Sequence, residues 1–152
     1  MIKKKGMTLV EVLISVVVLG FMSAIIITGL FSYRKHQAVD QTAHTVASYL
    51  EEARRKTLAS ENSARYGVHF DTYQVVLYKN TYSSTEPSNR IYTLDSYSQI
   101  NSISLLGGGS EVLFERLTGE TQATGTITVS LRSDTSKTKK ITISQTGVIE
   151  KN

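Results

Sequence analysis

The 152-residue sequence contains no cysteine, no tryptophan and a single proline, Pro87. Without cysteine the chain has no disulfide framework, no thiolate metal site, no cysteine nucleophile and no lipid-modified cysteine anchor. Only three histidines occur, His36, His44 and His69, and their spacing does not match a zinc-binding helix motif. No serine, histidine and aspartate arrangement is indicated either. We therefore expect no catalytic residue, no metal site and no cofactor, and we predict that the chain is not an enzyme.

The charge of the chain is unevenly distributed. The formal net charge is +4, and the adjacent Lys3, Lys4 and Lys5 supply three of those charges. The remainder of the chain is close to neutral, which gives little support for broad electrostatic binding to nucleic acid.

A long apolar run follows the lysines. From Gly6 to Tyr33 the only charged side chain is Glu11. The stretch from Val12 to Tyr33 would measure about 33 Å as a helix, which matches a hydrocarbon core of about 30 Å. The lysines predict a cytoplasmic N-terminus and an extracytoplasmic remainder, and hence a single-pass protein of the cytoplasmic (inner) membrane.

Two simpler interpretations of this run compete with a functional one. A secretory signal peptide has an apolar region of about 7–15 residues followed by a small-residue cleavage site. The run in this chain is longer, and no clear site of that kind follows it. A plain signal anchor accounts for the length but not for Glu11. A carboxylate inside a membrane costs about 2.5–3.5 kcal/mol on insertion scales, so it normally has a partner.

The string KKKGMTLVEVLIS, residues 3–15, resembles the leader of type IV pilins and type II secretion pseudopilins. The resemblance implies a leader over residues 1–6, cleavage between Gly6 and Met7 by a prepilin peptidase, and N-methylation of Met7. It places the family's assembly glutamate at Glu11, which would pair with the N-terminal amine of a neighbouring subunit. The resemblance further implies other pilins, a platform protein and an ATPase motor as partners. The sequence departs from the family at Met7, where Phe is commoner, and it lacks the mid-segment proline of many major pilins.

The helical pattern continues beyond the apolar run. Val39, Ala43, Val46, Leu50, Ala53 and Thr57 recur at spacings of three and four residues, which places them on one face of a helix. We expect one helix from about Met7 to Ser60. Residues 7–33 would form its membrane and assembly part, and residues 34–62 an amphipathic part that packs on a sheet.

Beyond Arg65 the apolar periodicity changes to two, which is typical of strands. Residues 63–152 are therefore predicted to form an antiparallel β domain, and the whole chain an α+β fold with a long N-terminal helix. The expected strands are Tyr66–Phe70, Tyr73–Lys79, Arg90–Leu94, Ser102–Leu106, Glu111–Glu115, Thr126–Leu131, Lys140–Ser144 and Gly147–Glu150.

The C-terminal part adds a narrower resemblance, to pseudopilin H and FimT-type minor pilins. Its elements are a strand ending at a phenylalanine, glycine turns, an alternating strand, a basic turn and the pattern I-x-I-S-x-x-G. Ala53 and Arg54 match the small and basic pair near the end of the family's helix. The matching C-terminal residues are Phe114, Gly119, Gly125, Leu131, Ile141, Ile143, Ser144 and Gly147.

The sequence thus predicts a structural subunit, a minor pseudopilin or pilin that is inserted in the membrane and then assembled into a filament. A DNA-binding minor pilin of an uptake pilus is the alternative. The basic residues of the predicted last hairpin could contact phosphates, although a solvated hairpin tip has the same composition. These residues are Arg132, Lys137, Lys139 and Lys140.

Overall fold

The computed structural model describes residues 7–152, with only the backbone described for residues 25–32 and 36. The predicted leader, residues 1–6, lies outside the described residues. Helix α1 (Leu9–Leu58) is the only α-helix of the described chain. The chain divides into two compact units after Arg34, so α1 contributes its first part to one unit and its second part to the other.

Helix α1 ends earlier than the sequence predicts. Its last residue is Leu58, and Ser60 adopts a left-handed conformation with φ 50°. A residue in this conformation commonly terminates a helix, because the chain turns away from the helix axis there. A short 3-10 turn, Glu61–Ser63, then leads into the first strand.

The strands form two antiparallel sheets of four, which the sequence pattern could not separate. The first sheet has the order β3-β2-β1-β5, and the second has the order β4-β6-β7-β8. The strands are β1 (Tyr66–Phe70), β2 (Gln74–Lys79), β3 (Arg90–Thr93), β4 (Ser98–Leu105), β5 (Glu111–Leu113), β6 (Gly125–Leu131), β7 (Thr138–Ile143) and β8 (Ile149–Lys151).

The largest error in the strand prediction concerns β4. This strand begins at Ser98, four residues before the expected start at Ser102. Its pairing with β6 shifts between Ile100 and Ser102, which leaves Asn101 as an extra residue. The bulge interrupts the period of two, and the residues before it are mostly polar, so the sequence pattern misses this half of the strand.

One face of α1 packs on the sheets, as the sequence predicts. All six residues of the predicted stripe are buried, and Thr42 and Ala47 on the same face are buried with them. The apolar core of this unit continues through both sheets. Its most enclosed large side chains are Leu50, Phe70, Phe114, Ile127, Ile141 and Ile143.

Two buried threonines tie the helix to the strands by hydrogen bonds. Thr57 Oγ1 donates to the Ala53 carbonyl at 2.8 Å and accepts from the Tyr66 N–H at 2.9 Å. Near the other end of this part of the helix, Thr42 Oγ1 and Ser98 Oγ lie 2.7 Å apart. The helix is therefore fixed to β1 at one end and to β4 at the other.

Arg54 connects the helix to two loops of the C-terminal half. Its Nε donates to the Gly119 carbonyl at 3.3 Å, and its Nη2 donates to the Thr146 carbonyl at 3.2 Å. Gly147, with φ 75°, passes so close that an added Cβ would overlap the Gly119 carbonyl oxygen and lie 2.7 Å from Arg54 Nε. Residues that the sequence analysis singled out in separate segments thus meet at one junction.

Replacing Thr57 with valine should lower the free energy of unfolding by about 1–3 kcal/mol. The change keeps the side-chain shape but leaves the buried Tyr66 N–H without its acceptor. The matched control is Thr45→Val, because Thr45 Oγ1 is half-buried and donates only to the Gln41 carbonyl one turn back. Urea unfolding followed by circular dichroism in one detergent would compare them. Equal losses for the two variants would contradict the bridging role of Thr57.

Replacing Gly147 with alanine should destabilise this unit more than replacing Gly108. Both glycines have positive φ, 75° and 72°, so alanine costs about 1–2 kcal/mol at either position. Only at Gly147 would the new methyl group also overlap a neighbouring carbonyl, since nothing lies within 4 Å of a Cβ at Gly108. Thermal unfolding of the two variants measures the difference. The same midpoint for both would show that the junction adapts freely.

Candidate assembly segment and basic hairpin

The start of α1 is capped by a threonine. Thr8 Oγ1 accepts a hydrogen bond from the Glu11 N–H at 3.3 Å, and the Thr8 carbonyl accepts from the Val12 N–H at 3.2 Å. Thr8 and Glu11 thus occupy the N-cap and third positions of a capping-box pattern, T-x-x-E. The sequence therefore carries a helix-start signal at Thr8 in addition to the Glu11 carboxylate.

Glu11 lies in the first turn of α1. A negative charge is stabilised there, because the unpaired N–H groups of the first turn give this end of a helix a partial positive charge. The predicted N-terminal residue Met7 lies four positions before Glu11 and is exposed, whereas Gly6 lies outside the described residues.

The first part of α1 exposes apolar side chains on every side. Such a helix does not have the polar face that a water-exposed surface helix requires. Its large exposed apolar residues are Met7, Leu9, Val10, Val12, Leu13, Ile14, Val16, Val17, Val18, Leu19, Phe21 and Met22.

The serines of this segment form hydrogen bonds within the helix itself. Ser15 Oγ donates to the Glu11 carbonyl and Ser23 Oγ to the Leu19 carbonyl, each at 2.8 Å. Both hydroxyls are therefore satisfied without water. Among the residues that the structure describes, no helix combines the length and the apolar character of a membrane span.

The four basic residues predicted as a possible DNA contact lie in and beside the β6–β7 hairpin, but they do not share one surface. Arg132 Nε donates to the Ser98 carbonyl at 2.9 Å, and its guanidinium lies 4.2 Å from the centre of the Tyr73 ring. Arg132 is therefore held against the end of β4.

The lysines of this hairpin are arranged around its tip. Lys139 pairs with Asp40 of the helix, with 3.4 Å between Nζ and Oδ1. Lys140 is the next residue of β7 and so points to the opposite face of the sheet. Lys137 is exposed in the turn itself.

The histidines and isolated aspartates are exposed, or they contact neighbouring rings and turn residues. The His69 ring stacks on Tyr82 at 3.8 Å, and His44 is exposed. Asp95 Oδ1 accepts from the Tyr97 N–H at 2.8 Å, as turn aspartates do, and Asp71 Oδ2 accepts from Gln74 Nε2 at 3.2 Å. In the described part of the chain, no three metal-ligating side chains come together.

The outer face of the first sheet is covered by the loop after β2. Tyr82 of this loop lies over His69, and its ring centre is 5.6 Å from that of Tyr78. Burial raises the pKa of the Tyr78 phenol above its usual value, and the nearby Glu111 carboxylate adds to the effect. A tyrosine phenol is neutral at physiological pH even with its usual pKa, so Tyr78 stays uncharged beside Tyr82.

One family model matches the start of the sequence, and several solved structures resemble the fold. The family model described as the prokaryotic N-terminal methylation motif matches residues 1–27. The type IV minor pilin FimU of Pseudomonas aeruginosa has a similar solved structure, with a TM-score of 0.55 and 13% identity, over 74% of this chain and 91% of that one. No curated protein sequence matches the chain significantly.

The minor pseudopilin EpsH from the type 2 secretion system of Vibrio cholerae is also similar in structure. One of its structures matches with a TM-score of 0.54 and 13% identity, over 75% of this chain and 95% of that one. A second matches with a TM-score of 0.55 and 11% identity, over 76% and 93% respectively. The shared feature is an N-terminal helix packed on antiparallel sheets, while the methylation motif occupies the segment where the assembly residues were predicted. The chain thus combines an N-terminal methylation motif with the fold of these minor pilin and pseudopilin structures.

Proposed function

We propose that the chain is a pilin-like structural subunit, most similar to minor pseudopilins and minor pilins, of a type II secretion pseudopilus or a type IV pilus. The observation that carries the proposal is the first part of α1. Its helix is apolar on all sides, has one acidic residue in its first turn and begins three residues after Gly6. Such a segment needs an apolar environment, which a bilayer supplies before assembly and sister helices supply afterwards.

In the proposed assembly pathway, the subunit is first inserted in the cytoplasmic membrane. Residues 7–33 span the bilayer, residues 1–6 stay on the cytoplasmic side, and the β domain lies outside. A prepilin peptidase cleaves between Gly6 and Met7, and Met7 is N-methylated. The platform protein and the ATPase motor then supply the work that moves subunits from the bilayer into the filament.

Glu11 is proposed to set the position of each subunit in the filament. Cleavage creates a positively charged amine at Met7, and a neighbouring subunit's amine can neutralise the Glu11 carboxylate in an apolar helix bundle. A buried charge that has lost its partner costs several kcal/mol, because nothing compensates for its removal from water. A misplaced subunit would leave both charges unpaired, so the pair favours one axial register.

The DNA-binding alternative has less support from the described residues. Arg132 is engaged with Ser98 and Tyr73, and Lys139 and Lys140 project to opposite faces. A duplex contacted along one face would meet only part of this set. We therefore propose a structural subunit, not an enzyme, whose partners are other pilins and the assembly machinery.

The first test is the N-terminal mass of the chain recovered from cells that contain its own prepilin peptidase. The expected product begins at Met7, with or without an added methyl group. A Gly6→Arg variant is the control, because a bulky cation at the cleavage position should leave the leader attached. Recovery of the unmodified chain with residues 1–6 intact, or of a chain cut after the apolar run, would contradict the proposal.

The second test separates the charge of Glu11 from its place in the capping pattern. Glutamine is accepted at the third position of a capping box but carries no charge. If the ion pair matters, Glu11→Gln and Glu11→Ala should both reduce incorporation into filaments at least about tenfold, since an unpaired buried charge costs several kcal/mol. Filaments sheared from cells that also express the partner pilins would be quantified by immunoblot. Normal incorporation of Glu11→Gln alongside failure of Glu11→Ala would assign the residue to helix capping instead.

A further inference from the structure

The connection between β5 and β6 carries a leucine in an unfavourable conformation. Leu117 has φ 70°, a left-handed value that glycine and asparagine adopt far more readily than leucine. In the part of the chain that the structure describes, the other non-glycine residues with positive φ are all serine or asparagine, namely Ser60, Asn62, Ser63 and Asn80. Leu117 is also 77% exposed, the highest value for a large apolar side chain within residues 35–152. Backbone strain and apolar exposure thus coincide at one residue, as they do at many contact sites.

The turn of Leu117 borders an apolar hollow. This hollow, of about 440 Å³, lies between the end of α1 and the turn that leads into β8, and its apolar lining residues are Leu58, Val148 and Ile149. Leu58 and Val148 are 37% and 48% exposed. Gly119, two residues after Leu117, passes so close to the hollow that an added Cβ would lie 3.0 Å from Leu58 Cγ.

We infer that this face binds a second copy of the chain, with Leu117 of each copy inserted into the hollow of the other. The face is self-complementary, because an apolar projection stands next to an apolar hollow that is larger than a leucine side chain. A two-fold axis lets each copy fill the hollow of its partner, so the contact forms twice in one dimer. Such a contact closes on itself, so it is separate from the filament contacts of the proposed function and does not depend on them.

The wall of the hollow is held in place before any partner binds. Arg54, which lines it, donates hydrogen bonds to the carbonyls of Gly119 and Thr146. Gly147, also in the lining, packs directly on the Gly119 carbonyl. A preformed surface of this kind binds a partner without the cost of ordering it first.

The charges around the face have both signs, so two copies need not repel each other. The charged lining residues of the hollow and the charged residues of the turn are Glu51, Arg54, Arg55, Glu115, Arg116 and Glu120. Glu115 pairs with Arg65 at 3.0 Å, and Lys56, next to Arg55, pairs with Glu52 and Glu61. Glu150 follows Ile149 and therefore points to the opposite face of β8. The apolar contact of Leu117 is thus the feature expected to dominate the affinity.

The first experiment measures association of the full chain in detergent micelles. Because the chain has no cysteine, Thr135→Cys gives a single labelling position in the turn between β6 and β7. Copies labelled with an energy donor are mixed with copies labelled with an acceptor, over a range of chain-to-detergent ratios. Association through the apolar first part of α1 is common to all variants and forms the background. Energy transfer above this background reports the proposed dimer.

Three substitutions in the labelled chain test the role of Leu117. Leu117→Asn should weaken the dimer at least about tenfold, because the apolar anchor is lost from both copies. Leu117→Met keeps an apolar side chain of similar volume and should change the affinity less than about threefold. The matched control is Ile91→Thr, which removes another exposed apolar side chain from β3, at the edge of the first sheet away from β5. It should leave the affinity unchanged. Equal affinity of the unaltered chain and Leu117→Asn would overturn the inference.

Thermal unfolding separates docking from a role in the fold. Asparagine accepts a left-handed φ, so Leu117→Asn should raise the unfolding midpoint of the dilute, monomeric chain by about 2–4 °C while it weakens the dimer. A structural role would instead lower the midpoint together with the affinity. That result would show that Leu117 serves the fold and would overturn the inference.

The position of the contact is tested by disulfide formation between two single-cysteine chains. A Leu117→Cys chain mixed with a Val148→Cys chain should form a disulfide-linked dimer under mild oxidation, because the proposed contact brings these positions together. Leu117→Cys mixed with Ile91→Cys is the control and should give only background. Equal yields for the two mixtures would contradict the proposed geometry.

A different occupant of the same face would also be recognised. Binding of another pilin subunit that depends on Leu117, with no association between copies of this chain, would assign the face to that subunit and overturn the inference of a second copy. None of these measurements requires processing of the leader or insertion in a membrane. The inference and the proposed function can therefore fail independently.

Discussion

Burial of one face of the helix between Val39 and Thr57 is the constraint on which the β domain depends, because both sheets bury their inner faces against it. Alanines at three positions of this face, Ala43, Ala47 and Ala53, leave room for large side chains of the strands. The buried hydroxyls of Thr42 and Thr57 reach β4 and β1, so the same face that supplies packing also fixes where each sheet begins. Without this face, two four-stranded sheets of short strands would expose their apolar sides to water.

The two parts of α1 differ in the distribution of apolar and charged side chains. The second part is buried on one side and charged on the other, as its pairs Glu52–Lys56 and Glu52–Arg90 show. The first part is apolar all round and has its only acidic residue in the first turn. The Ser15 and Ser23 hydroxyls and the Glu11 N–H find their hydrogen-bond partners within this segment, which suits the proposed transfer of the first part from lipid to protein surroundings.

The fold is shared with FimU and EpsH at 11–13% identity, which is consistent with how the core is built. Most core positions require only an apolar side chain of suitable size, and many sequences meet that requirement. Specific residue types are needed at fewer places. Gly147 is one, because the Gly119 carbonyl and Arg54 leave no space for a Cβ, and this chain has no disulfide to hold the loops together instead.

The sequence by itself determined the elements that depend on local periodicity or on a short motif. The six-residue stripe of α1 and strand β1 follow from spacing alone, because burial on one face imposes a period of 3.6 or 2. The helical N-terminal segment follows instead from the length of its apolar run. The leader and Met7 are read from the motif, and their processing is a prediction of the sequence.

Tertiary structure decided the features that no local pattern encodes. The division of strands into two sheets, the bulge at Asn101 and the meeting of Arg54 with Gly119 and Gly147 depend on residues far apart in the chain. It also decided that the basic residues of the last hairpin lie on different faces around the turn, since strand register and the contact with Asp40 set their directions.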